Sequence, residues 1–113
     1  MSRNGPELYA YEKLRVALDG LATGAGDVRA RLLNAFISFH TLKDGDFPEH
    51  LRSDYRWVIE QLNRFPPYQL SDGKIVRGSV EETLRRIKNS TGVAIAERLL
   101  RLYHEIDSYV HKR

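Results

Sequence analysis

The sequence predicts an all-α protein, a compact bundle of about five helices in one domain spanning residues 1–113. Three observations lead there. Apolar residues recur at spacings of three and four along most of the chain, helix-starting residues precede those stripes, and Gly or Pro follows them. A length of 113 residues suffices for one buried core and is short for two.

Leu8, Tyr11, Leu14, Leu18 and Leu21 predict a first helix over about 7–22, closed by Gly24. Thr23-Gly24-Ala25-Gly26 is the break, and Asp27 is a suitable N-cap for a second helix. Val28, Leu32, Ala35, Phe36, Phe39 and Leu42 carry that helix to about residue 42. So short a connection implies an antiparallel helical hairpin. Lys43-Asp44-Gly45-Asp46 is a turn cluster, Asp46 and Glu49 have capping-box spacing, and Pro48 suits a first helical turn. A third helix therefore runs from there through Leu51, Tyr55, Val58, Leu62 and Phe65, widened by Trp57 and Ile59, until Pro66-Pro67 stops it.

Residues 67–78 form the one long connection, where Asp72-Gly73 lies between Tyr68-Gln69-Leu70 and Lys74-Ile75-Val76, a pattern able to close a small β-hairpin. Ser79 and Glu82 repeat the capping-box spacing before a short fourth helix with Val80, Leu84 and Ile87 inward. Lys88-Asn89-Ser90-Thr91-Gly92 breaks it. The last helix, about 91–110, sets Ile95, Ala96, Leu99, Leu102, Tyr103, Ile106, Tyr109 and Val110 on one broad arc that Val93 and Leu100 extend. An arc this wide predicts a central helix or a dimer face. Residues 1–6 and 111–113 are expected to fray.

The absence of cysteine fits a reducing compartment and rules out thiolate metal sites and cysteine nucleophiles, so a cytoplasmic location is expected. No apolar run approaches the roughly 20 residues of a membrane span, and the start MSRNGPE lacks a secretory signal's apolar stretch. Lys and Arg total 18 against 15 acids, a net charge of +3. That is mildly basic, well below the density of a dedicated nucleic-acid binder. Thirteen of the cations are Arg, the side chain better suited to forked contacts with phosphate or carboxylate and to packing on aromatic faces.

The break between the last two helices is the strongest candidate site. Free amides at the start of the last helix attract anions, Ser90, Thr91 and Gly92 lie at that start, and Arg85, Arg86 and Lys88 approach it. With Arg77, Arg98 and Arg101 they make a basic hairpin over 77–101 that would hold a phosphate, a carboxylate or a nucleic-acid backbone. From Leu84 to Tyr103 the span resembles a helix-turn-helix, with Gly92 in the turn, although Lys88 takes a small-residue position and Arg98 and Arg101 take buried ones. Arg98 and His104, five residues between them in an all-α chain, resemble the Arg-His pair of the HEPN ribonuclease family, which implies metal-independent RNA cleavage across a dimer. Leu99 stands where that family places a polar residue, and six helical steps put Arg98 and His104 about 120° apart.

His104, Asp107 and His111 share a helix edge at i, i+3 and i+7, a spacing common by chance and close to the chain end. Asp44-Gly45-Asp46 lacks the remaining ligands of a calcium loop. No nucleophile-elbow, P-loop, dinucleotide or zinc-protease pattern occurs. No catalytic residue, metal ligand or cofactor is therefore assigned. The expectation is a small, bacterial-type, non-enzymatic binding or regulatory protein that meets a protein partner through a helical surface, as a homodimer or otherwise. A nucleic-acid accessory protein and a HEPN-like ribonuclease are the alternatives.

Overall fold

A computed structural model describes residues 5–112. Its helices are α1 (Gly5–Thr23), α2 (Val28–Phe39), α3 (Arg52–Leu62), α4 (Ser79–Arg86) and α5 (Asn89–Val110), with a two-stranded antiparallel ribbon of β1 (Tyr68–Gln69) and β2 (Ile75–Arg77) before α4. The fold class is the one the sequence predicts. Of the expected frayed ends, residues 1–4 and 113 lie outside the described residues. Gly5 and Pro6 already belong to α1, and the His111 N–H closes α5 on the Asp107 carbonyl at 3.0 Å.

α1 and α2 form the antiparallel hairpin, with the Tyr9 hydroxyl meeting Thr41 Oγ1 at 2.9 Å across its open end. The connection works as its residues dictate. A Cβ on Gly24 would lie 2.6 Å from the Gly20 carbonyl oxygen, Gly26 has φ +88°, and Asp27 caps α2 by accepting from the Arg29 and Ala30 amides. α5 lies antiparallel to α1, its C-terminal Tyr103 stacked on Tyr11 with ring centroids 5.7 Å apart. α3 packs on another side of α5, and α4 bridges α2 and α3. The core between them is apolar, built on Leu14, Leu32, Phe39, Val58, Leu99 and Ile106, all fully buried.

Three boundaries around α2 and α3 differ from the expected ones. α2 stops at Phe39 instead of about 42, because Leu42 turns inward and its carbonyl accepts the Tyr55 hydroxyl at 2.7 Å. The third helix does not begin at Asp46. Asp46 accepts the Lys43 N–H at 2.9 Å and closes a 3-10 turn over Asp44–Asp46, so Phe47 can drop into the core and stack on Tyr55 at 4.5 Å. A second 3-10 turn, Glu49–Leu51, precedes α3. At its far end Asn63 closes the helix with its backbone N–H and its Nδ2, which donates to the Ile59 carbonyl at 2.8 Å, three residues before Pro66.

The hairpin forms. Gly73 N–H bonds to the Leu70 carbonyl and Leu70 N–H to the Lys74 carbonyl, giving a three-residue loop whose last residue, Gly73, has φ +87°. Glycine supplies that left-handed conformation without a Cβ penalty. Register shifts between Tyr68 and Gln69, since Tyr68 faces Arg77 while Gln69 faces Ile75. Residues 68–76 are exposed throughout, so the ribbon projects from the helices.

Candidate functional site

Nine residues were expected to gather around the break before the last helix, and the structure distributes them over three places. The first is centred on Glu82. Its carboxylate, on a residue only 1% exposed, accepts from Arg77 Nε at 2.8 Å and Arg86 Nε at 2.6 Å, with Arg85 Nε at 3.7 Å. These bonds, first from Arg77 and then from Arg86, hold the Glu82 pKa down to about 2 against an ordinary 4.5. The same pairing raises Arg77. The capping box expected from Ser79 and Glu82 is therefore not made. Gly78 occupies the N-cap, Glu82 gathers arginines, and the Ser79 hydroxyl donates to the Phe65 carbonyl at 2.7 Å.

That last bond belongs to a small backbone clasp. Pro66 and Pro67 leave Phe65 outside any helix or strand, and its amide would be unsatisfied in this half-buried position. Buried Thr83 accepts the Phe65 N–H at 2.9 Å while Ser79 takes care of its carbonyl. The guanidiniums of Arg77 and Arg86 then cover the rings of Tyr68 and Phe65, at 4.8 and 5.2 Å. Glu82 thus ties the ribbon, the exit of α3 and α4 into one joint.

The second place joins α3 to α5. Arg98 donates to Asp54 at 3.1 Å and lies over the Trp57 ring at 4.2 Å, while Arg101 stands 3.7 Å from the same carboxylate. Arg98 thus points to α3, and His104 is exposed beside Tyr103. The two residues of the ribonuclease resemblance face different ways on one chain. For Arg98 to serve such chemistry it would have to leave Asp54 and Trp57.

The third place is the break itself. α5 begins at Asn89, two residues earlier than expected, with Lys88 at the N-cap and no side chain closing the first turn. Lys88 and Ser90 are exposed and Thr91 is half-buried. Gly92 is buried for a packing reason: a Cβ there would come within 2.9 Å of Val28 Cγ1. Arg29, which sequence reasoning passed over, reaches across from α2 and donates to the Ile87 carbonyl at the end of α4 at 3.0 Å. The turn is thus braced by α2; Arg77, Arg85 and Arg86 gather on Glu82 and Arg98 and Arg101 on Asp54, while Lys88 stays exposed at the turn.

Two grooves complete the surface. One, of about 310 Å3, runs between α1 and α5 and is lined by Leu18, Leu21, Ala22, Val28, Val93, Ala96 and Leu100, with Glu97 its one charged residue. Val93 and Leu100, two turns apart on α5, are 45% and 44% exposed. The other, of about 450 Å3, lies between α2 and α3 over Phe36, Leu42 and Ile59, with His40, Lys43, Asp44, Arg56, Glu60 and Asn63 at its edges. His40 Nδ1 lies 2.8 Å from the Ile37 carbonyl, which can only accept, so the neutral ring carries its proton there. Among the described residues no three His, Asp or Glu side chains come together as a metal site, and His111 instead meets Asp107 at 2.9 Å. No helix of these residues is long and apolar enough to cross a membrane.

Comparison of the chain with family models, curated proteins and solved structures finds no match.

Proposed function

We propose that the protein is a non-catalytic binding protein that works as a homodimer through its α1–α5 face. One observation carries this reading: Val93 and Leu100 remain nearly half exposed beside an apolar floor of Leu18, Leu21, Ala22 and Val28. A helix turned wholly to its own core would have hidden them, and a contiguous apolar strip on a small domain marks an association surface. Two copies related by a twofold axis would each lay this shoulder against the other, removing both strips from water.

The nucleic-acid reading stands second, since Arg77, Arg86 and Arg98 are already engaged by carboxylates and a phosphate backbone would have to compete with Glu82 and Asp54. Sedimentation equilibrium tests the first reading. The parent is expected to sediment as a dimer at micromolar concentration and Leu100→Glu as a monomer with unchanged helical circular dichroism. A parent that stays monomeric at high concentration removes the proposal.

A further inference from the structure

The ribbon is the second unpartnered feature, and it is independent of the α1–α5 face. Four of the nine exposed large hydrophobics among the described residues fall within it: Tyr68 at 42%, Leu70 at 43%, Ile75 at 54% and Val76 at 47%. A lone two-stranded hairpin is marginal in water, and its outer edges present unpaired N–H and C=O groups. Among the described residues no third strand covers either edge.

What fits such an edge is an extended polypeptide backbone, whose amides can continue the ladder while alternate side chains meet the apolar positions. The charge of the partner follows from the segment that carries the ribbon. Residues 64–88 hold six Lys and Arg against three acids, so this stretch accounts for the whole chain's net +3. Of the acids, Glu82 is buried under its arginines, leaving Asp72 and Glu81 at the surface against exposed Arg64, Lys74, Arg85, Arg86 and Lys88. Arg77 ends β2 and also lines a groove of about 330 Å3 between α2 and α4, with Arg29 and Arg85 beside it and Leu33 and Leu84 below. The strand edge therefore leads into a groove in which Arg77 is paired with Glu82 and Arg29 with Asp27, so the surplus positive charge around it comes from exposed Arg64, Lys74, Arg85 and Lys88.

We propose that the ribbon and the α2–α4 groove bind an extended acidic segment of another polypeptide, which joins the ribbon as a third strand. Nucleic acid fits less well. Bases stack on open aromatic faces, whereas the Tyr68 and Phe65 rings already carry the guanidiniums of Arg77 and Arg86 on one face.

The test uses a fluorescein-labelled eight-residue peptide of alternating Glu and Val, its Lys-Val counterpart, and a twelve-nucleotide oligouridylate, each titrated into the full chain at low salt and followed by anisotropy. The Glu-Val peptide is expected to bind and to slow amide hydrogen exchange in residues 68–77, while the Lys-Val peptide does not bind. Ile75→Asp, a substitution at an exposed position, is expected to weaken binding about 10-fold or more with helical circular dichroism unchanged. Leu100→Glu is expected to leave the affinity intact, which separates this surface from the proposed dimer face. Absence of Glu-Val binding, equal binding of both peptides, tighter binding of the oligouridylate, or an unaffected Ile75→Asp variant each overturns the proposal.

Discussion

Tyr55 carries its hydroxyl into the interior, where a backbone carbonyl receives it. Burial pushes its pKa up, and the O–H donates to the carbonyl of Leu42, the residue that ended α2 early. Removing the hydroxyl leaves that carbonyl without its partner in the interior, so Tyr55→Phe is expected to cost about 1–2 kcal/mol, read as a lower urea midpoint at constant slope. An unchanged midpoint would mean that water replaces the phenol there. At this scale some roles were legible and others were not. Asp27 caps its helix because its chemistry and its place after Gly26 leave it little else to do. Glu82 carried a misleading local signal, since the spacing from Ser79 that suggests a cap also sets it three and four residues before Arg85 and Arg86. Asp54 had no local signal at all, because Arg98 lies 44 positions away.

Among the elements, α4 has a stability that follows pH through Glu82. Arg77 and Arg86 lower the Glu82 pKa to about 2 in the folded state, against 4.5 for an unhindered carboxyl. Below about 2 both states bind the proton and the pairing adds nothing. Above 4.5 the folded carboxylate is charged and paired, and its contribution is complete. Stability from this joint therefore fades as pH falls from 4.5 toward about 2. Glu82→Gln, which keeps the shape and loses the charge, is expected to trail the parent at pH 6 and to approach it near pH 2 in urea unfolding. A gap constant across that range would show that the carboxylate charge is not what joins ribbon to helix. The end of α2 and the start of α3, both missed by sequence, share one cause. Phe47 and Leu42 are apolar residues placed where the helical stripe would put them, yet each enters the core by breaking the helix.

For the whole molecule, helix number and order were legible because the stripes are regular and the glycine and proline breaks are unambiguous. The distribution of the basic residues was not, since it depends on which distant carboxylates the packing brings near them. Self-association has a consequence at this scale that needs no substitution. If the folded chain pairs and the unfolded chain does not, mass action raises the thermal midpoint with protein concentration. The parent is expected to show that rise over a hundredfold range, and Leu100→Glu a flat line. A flat parent would place the α1–α5 strip outside any self-association.

The contact between Arg98 and Trp57 has a use of its own. This is the chain's single tryptophan, half-buried on α3, with a guanidinium from α5 against its face at 4.2 Å. Its emission therefore comes from one address, the seam between two helices that meet only through the folded chain. Separation of that seam uncovers the indole to solvent, so the protein carries an intrinsic optical gauge of whether its last helix is docked.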